Sequence, residues 1–361
     1  MASVDTGHGT HPPRPRGGGV EGADGEEGMK VFLASFNHPP DASPVVQAFR
    51  NLAERDRHKK HRVVDAPDSA DILLFVDCHL SPDWRMRCLL DHRDLVQFRN
   101  RTLVYNECDE PWVAAPGVYV SLPKRHFDER AARAWGYYTL GDETAPPEGC
   151  QPDLLFSFVG TPGHVTSEGH RVRRRILQLS HPSAHIEDSS GFVFFDGSRD
   201  PEAHRARQKH FAEMLGRSKF VLCPRGRGTS SIRLYEVMRA GRAPVILADQ
   251  WVPPQGPDWD SFALRVAEAD VARLPEMLEN REKDWQALGA EARRAYEQWF
   301  APDVAFHHII EKCAEVLPVA DGFAPDMRGG AYRELALKAR KQRLRSIAGK
   351  ALRRILPGRR S

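Results

Sequence analysis

From Met29 onward, short apolar runs alternate with segments whose apolar residues recur every three or four positions. MKVFLASF (29–36), ADILLFVD (70–77), TLVYNE (102–107) and VYVSL (118–122) have the length and composition of strands. Between them, PVVQAFRNLAERDR (44–57) and SPDWRMRCLLDHRDLVQF (81–98) carry helical spacing, the second with a Ser-Pro start. A turn-rich stretch, GDETAPPEGCQPD (141–153), interrupts the pattern as a linker would. It then restarts with strands at LLFSFVGT (154–161), FVFFDG (192–197), KFVLCP (219–224) and APVILAD (243–249). Helices are predicted at HRVRRRILQLS (170–180) and HRARQKHFAEMLGRS (204–218), and aromatic-rich helices over 284–317. In the last of these, Trp285, Tyr296, Trp299 and Phe300 fall at core spacing, and His307-His308 reads as packing. Strands alternating with helices predict parallel sheets. The expected fold class is α/β, with two Rossmann-like domains facing a cleft, over 29–145 and 150–320. Ligands in such sheets lie beyond the carboxyl ends of the strands.

Composition changes this picture at the two ends. Residues 1–28 have too little apolar content to offset ordering entropy and are expected to be a disordered tail, with His8 and His11 in loose chain. No apolar run approaches the roughly 20 residues that span a bilayer. The six cysteines (78, 88, 108, 150, 223, 313) have no CxxC pair, which speaks against zinc and against a secreted disulfide scaffold. Residues 331–361 hold 11 Lys/Arg against Glu334, a net +10 that leaves −7 for the rest of a chain of net +3. There Leu344, Ile347, Ala348, Ala351, Leu352 and Ile355 form one stripe, largely opposite Arg343, Lys350, Arg353 and Arg354. That tail is expected to lie on an anionic membrane surface, with a merely disordered basic end as the alternative. The stripe lacks the aromatic interleaving of a nucleic-acid binder, so no nucleic-acid partner is expected.

The chemistry concentrates in CPRGRGTSSIRLYEVMRAGRAPVIL (223–247). A strand ending at Pro224 leads into a turn in which Gly226 and Gly228 are expected to use positive φ. Ser230 or Ser231 then caps a helix to about Ala240, stopped by Gly241. The free N–H groups and dipole of that helix start suit an anion, and Arg225 or Arg233 can add charge-assisted bonds to phosphate oxygens. Glu236 is three residues after Arg233, on the same face, as an ion pair or as an acceptor for ribose hydroxyls. The phosphate-loop motif fails because no lysine follows these glycines, and GxGxxG is broken by Ser231. A kinase or a dehydrogenase is therefore disfavoured.

This stretch resembles the core of the exostosin family of glycosyltransferases. The resemblance rests on Cys223-Pro224-Arg225-Gly226, Ser231-Ile232-Arg233-Leu234-Tyr235-Glu236, Pro244-Val245-Ile246, Trp251 and Asp258-Trp259, with SFVGTPGHVTSEGHRVRRRIL (157–177) similar to the opening of the same domain. It implies a GT-B fold whose second domain holds a nucleotide-sugar donor, usually a UDP-sugar. Arg225 and Arg233 would face the diphosphate and Glu236 the ribose, with Gly226, Gly228, Ser230 and Ser231 shaping the loop. The first domain would take a cell-surface, exopolysaccharide or lipid-linked glycan acceptor. Animal members carry a membrane anchor; this sequence points instead to a cytoplasmic, bacterial form, peripheral at the inner membrane face. A fucosyltransferase-like enzyme using a GDP-sugar, and a non-catalytic nucleotide- or glycan-binding module on the same fold, are the alternatives.

Arginines and helix N–H groups can stabilise a departing diphosphate, so an inverting transfer with no metal and no cofactor is expected. Asp258-Trp259-Asp260 spells the DxD of metal-dependent transferases but overlaps the acidic-Trp feature of the resemblance. A base must deprotonate the acceptor hydroxyl. Candidates are Asp77 and His79 after one strand and Glu107, Asp109 and Glu110 after another, with Trp112 beside them to stack on a sugar. Asp109 is the choice. His164 and His170 flank the first loop of the second domain, as caps or phosphate contacts.

Overall fold

A computed structural model describes residues 27–344 apart from 37, 79–89, 139–144, 147–148, 166, 191–199, 331, 338–339 and 342–343. The first sheet contains β1 (Lys30–Ala34), β2 (Arg62–Val63), β3 (Ile72–Cys78), β4 (Thr102–Asn106), β5 (Gly117–Tyr119) and β6 (Ala132–Ala134). Its order is β2-β1-β3-β4-β5-β6, with parallel neighbours throughout. The second contains β7 (Leu154–Gly160), β8 (Ala184–Asp188), β9 (Ser218–Pro224), β10 (Ala243–Leu247) and β11 (Leu264–Arg265). It is also all parallel, in the order β11-β10-β9-β7-β8.

Each sheet therefore reverses its strand order beside its first strand, between β1 and β3 and between β7 and β9. Such a reversal opens a crevice at the carboxyl ends, because the flanking loops leave toward opposite faces. In the second sheet that crevice lies between the loop after Gly160 and the loop after Pro224, where the arginine-rich stretch begins.

The helices follow from their apolar spacing. In α1 (Pro44–Arg55), Val46, Phe49 and Leu52 are buried, and Ser43 Oγ caps the start by accepting from Val46 N–H at 3.4 Å. Next come α2 (Arg93–Gln97), α3 (Glu168–Ile176), α4 (Pro201–Arg217) and α5 (Ile232–Arg239), then α6 (Leu274–Glu279), α7 (Trp285–Trp299) and α8 (Ala305–Val316). The last of these packs against α1, β5 and β6 of the first domain, burying Ile309, Ile310, Cys313 and Val316. One apolar cluster accordingly runs from Val31 and Phe49 through Tyr235 and Trp259 to Phe300 and Phe306.

Four strands depart from the sequence reading. The two-residue β2 and β11 and three-residue β6 are too short for a period to register, and β8, AHIED, is a half-buried polar edge strand. The predicted helix over 81–98 breaks within its described part. A turn at Asp91-His92 precedes the five-residue α2, whose start is capped by His92 Nδ1 accepting from Asp94 N–H at 3.2 Å. FVFFDG, His79 and the first 26 residues lie outside the described residues.

Candidate functional site

The loop after β9 is held by close approach, and this corrects the reading of its glycines. Neither Gly226 nor Gly228 has a left-handed backbone. A Cβ on Gly228 would instead meet Ser121 Oγ at 2.7 Å and Asp109 Oδ1 at 2.8 Å, both from the first domain. A Cβ on Gly226 would meet Arg173 Nη2 at 3.1 Å. Glycine is needed here for room. Thr229 Oγ1 donates to Ser121 O at 2.9 Å, so the loop is pinned across the domain boundary.

The cap expectation is also corrected. Ser231 occupies the N-cap position of α5 without a side-chain cap bond, and the buried Ser230 hydroxyl lies toward those of Tyr137 and Tyr235. The first turn of α5 is thus left without a side-chain cap. Its other end agrees with the sequence: Gly241 has φ 63°, and bonds from Gly241 N–H to Met238 O and from Arg242 N–H to Val237 O close the helix.

Two half-buried arginines, Arg233 and Arg173, lie at the β7/β9 crevice. Arg233 donates through Nη2 to Val159 O at 2.5 Å and lies over the rings of Phe158 and Phe211, while its Nε and Nη1 are buried without a partner. Burial holds its pKa below the usual arginine range, partly offset by Cys223 and by Glu236, which is itself buried behind it. Arg173, from α3, donates to Arg225 O at 2.9 Å and Thr161 O at 3.4 Å. Burial, and then the charge of Arg233, push its pKa down to about 10. Arg173 also reaches Pro224 O at 3.5 Å, so its three nitrogens all have carbonyl partners, with Asp109 opposing the repulsion from Arg233. The orphaned N–H groups are those of Arg233, and burying them is costly unless an acceptor such as an anion joins them. Sequence reasoning missed Arg173 because three consecutive arginines (173–175) hide which one turns inward. Arg175, by contrast, donates outward to Glu268 O and Ala269 O.

Arg225 stands differently from expectation. Its side chain is buried, and Nη1 donates to Glu168 Oε2 at 2.6 Å. Glu168 also pairs with Arg125 at 3.2 Å, and Arg125 with Glu334 at 3.1 Å. A chain of alternating charges thus links the loop to a C-terminal helical segment over 332–337. Arg227 pairs with Glu110 across the cleft at 3.0 Å. The cleft is lined by Asp109, Glu110, Ser121, Arg125, Arg225 and Arg227, among others.

The first domain's wall comes from the segment after β4. Asp109 sits where sequence placed it, facing Gly228, whose N–H donates to its carboxylate. Its pKa is raised by burial against the opposing charge of Arg227, with Glu110 raising it further. Trp112 is corrected: it is buried against Tyr332, ring centroids 5.1 Å apart, and is not free to stack on a sugar. Asp77 accepts from Ser35 Oγ at 2.5 Å and Phe36 N–H at 3.3 Å in the other sheet's crevice. His170 Nδ1 lies 3.1 Å from Pro162 O and Gly163 O, a loop-bracing position. Of the DxD residues, Trp259 is in the core with Nε1 donating to Pro254 O at 2.8 Å, and Asp260 pairs with Arg265 at 3.5 Å. In the tail, Leu335 is buried and Leu344 exposed, while the rest of the apolar stripe lies outside the described residues. Among the described residues no helix is long and apolar enough to cross a membrane.

Burial pushes the Glu107 carboxyl up to about 7, against hydrogen bonds from Tyr138 N–H and Tyr105 that favour its ionised form. The one proton of Tyr105 Oη faces two acceptors, Gly136 O at 2.7 Å and Glu107 Oε1 at 3.0 Å. A protonated Glu107 removes that conflict by donating to Tyr105. Since its pKa is about 7 folded and 4.5 otherwise, the folded state keeps the proton that the unfolded state gives up. Its contribution to stability is full below 4.5 and falls as pH rises to about 7, by up to about 3 kcal/mol. Glu107→Gln should therefore raise Tm at pH 8 and change it little at pH 5. An equal loss at both pH values would mean that the carboxylate is ionised in the fold.

The profile of the Exostosin GT47 domain matches residues 80–281, more than half of the chain. The Exostosin-1 homolog of Caenorhabditis elegans is 37% identical over 92 residues, 25% of this chain and 24% of that protein. A probable glucuronosyltransferase of Oryza sativa subsp. japonica, GUT1, is 29% identical over 182 residues, 41% of this chain and 43% of that one. The matches span less than half the length of these relatives. Among solved structures, a glycosyltransferase from Rickettsia africae aligns with TM-score 0.40 and 10% identity over 81% of this chain and 99% of that one. The fold is read from the two sheets themselves rather than from that likeness.

Proposed function

The chain belongs to the exostosin GT47 family, and from that premise we propose that it transfers a sugar from a nucleotide-sugar donor to a glycan acceptor. The observation that carries the proposal is the pair Arg173 and Arg233 at the strand-order reversal, with Nε and Nη1 of Arg233 buried and unpartnered. A diphosphate supplies acceptor oxygens for those N–H groups and adds to the negative charge that Glu236 and Asp109 already set against the two arginines. The same groups then stabilise the charge that grows on the leaving nucleoside diphosphate, a role that needs no divalent ion. Arg225 is held in reserve on Glu168, and Glu236 backs Arg233 and is the candidate for the ribose.

Asp109 is the proposed base. It faces the donor loop from the opposite wall, as an inverting displacement requires, and its raised pKa brings it toward the acceptor hydroxyl's needs. The curated relatives named as glucuronosyltransferases make UDP-glucuronate the first donor to try. The acceptor is proposed to be a cell-surface or lipid-linked glycan, reached by a form that sits peripherally on an anionic membrane through its basic C-terminal residues.

The test is a screen of UDP- and GDP-sugars with oligosaccharide acceptors, reading release of free nucleoside diphosphate. Acceptor-dependent release from a UDP-sugar is expected. Binding without release from any donor would replace the transferase by a binding module.

A further inference from the structure

A cluster of histidines stands apart from the cleft, on the outer edge of the second sheet. His185 and Glu187 are two residues apart on the edge strand β8 and so face the same side. From α4, His210 reaches the same carboxylate: its Nε2 lies 2.6 Å from Glu187 Oε2, and His185 Nε2 lies 3.2 Å from that oxygen. The two imidazole centroids are 5.9 Å apart, with planes inclined by 69°. Arg207 Nη1 occupies the other oxygen, Oε1, at 2.8 Å. The three ligand atoms lie within 4.8 Å of one another.

We propose that His185, Glu187 and His210 bind a zinc ion. Two imidazoles and one carboxylate are a zinc ligand set, and bond lengths of about 2.0–2.2 Å put neighbouring ligand atoms of a tetrahedral site roughly 3.3 Å apart. The His185–Glu187 separation of 3.2 Å already matches, and His210, at 2.6 Å, must withdraw by roughly 0.7 Å. Two imidazoles bound through Nε2 would have centroids about 5 Å apart, close to the spacing present. Arg207 stays on Oε1 and orients the ligating carboxylate, as outer partners of metal ligands do. The fourth position is open to water.

A second trio, His61, His307 and Glu311, has similar spacing but fails on its protons. Met29 N–H donates to His61 Nδ1 at 3.1 Å, so the neutral ring carries its hydrogen on Nε2, the atom that faces Glu311. That nitrogen is then unavailable to a metal. Among the described residues no comparable bond fixes the hydrogen of His185 or His210 on Nε2. The scattered cysteines spoke against zinc in the sequence, but this site uses none of them, and its ligands come from two elements with no motif spacing.

The ion would clip β8 to α4. Glu187 is in register with Val159, whose carbonyl holds Arg233, and His210 adjoins Phe211, over which Arg233 lies. Zinc therefore braces both supports of that arginine from behind. The binding itself is independent of the proposed transfer reaction.

The experiment titrates Zn²⁺ into the chelator-stripped full chain against a chromophoric chelator, with Co²⁺ substitution as a second readout. One equivalent should bind, Tm should rise, and the cobalt form should give the intense visible bands of four- or five-coordination. His185→Gln and His210→Gln should each weaken binding by about tenfold or more. His307→Gln should leave it unchanged. These half-exposed substitutions should melt like the metal-free wild type, which separates lost ligation from lost folding. The proposal is overturned if the stripped chain takes up no zinc, if both glutamine variants bind as wild type does, if His307→Gln abolishes uptake, or if cobalt gives only the weak six-coordinate spectrum.

Discussion

Replacing Arg233 by alanine should lower kcat/KM for the nucleotide-sugar by about 100- to 1,000-fold while leaving the fold as stable as before. The magnitude is that of removing one preorganised donor from a developing oxyanion. The decoupling from stability follows from the environment of the side chain. Nε and Nη1 of Arg233 are buried and unpartnered, so its removal ends a desolvation cost and offsets the lost contacts with Val159 O and the Phe158 and Phe211 rings. Arg233→Lys should recover part of the binding through charge but not the two-pronged contact. A variant with unchanged kinetics would remove Arg233 from the donor site. A variant that lost activity only in step with Tm would make it structural.

Asp109→Asn should lower kcat by about 100- to 10,000-fold, the range for loss of a positioned general base, with donor affinity nearly unchanged. Asparagine keeps an oxygen for Gly228 N–H and adds no volume beside the loop. The pH profile carries the distinction. Burial raises the Asp109 pKa, Arg227 opposes the rise, and Glu110 adds to it. A base must be deprotonated, so wild-type kcat/KM should fall as pH drops through a pKa above the ordinary aspartate range. In the asparagine variant that acid limb should vanish. Should the limb persist, the base is another group, and Glu107, with its carboxyl near 7, is the next to test.

The double α/β architecture was legible because buried parallel strands such as ILLFV and KFVLC leave continuous apolar runs between helical periods. The edge strands were not, since two or three residues of β2, β6 and β11, or the polar AHIED of β8, carry no such signal. The loop after Pro224 stood out in the sequence as a candidate site, but the reason for its glycines was misread. Gly228 is demanded by Asp109 and Ser121, more than a hundred residues away in sequence, and local turn chemistry cannot report a contact of that kind. Trp112 failed in the same way: its neighbours suggested an exposed platform, whereas Tyr332 covers it. Arg173 was invisible among 173–175 until the helix set its phase. The charge chain Arg225–Glu168–Arg125–Glu334 joins four separate segments and has no sequence signature at all.

The central claim is that the Arg173–Arg233 crevice reads a diphosphate. Calorimetric titration of UDP, UMP and uridine onto the wild type, Arg173→Gln and Arg233→Gln tests it most directly. UDP should bind well above UMP and uridine, weaken as salt rises, and lose most of that advantage in either variant. Equal affinity for UDP and uridine, or UDP binding that both substitutions leave intact, would contradict it.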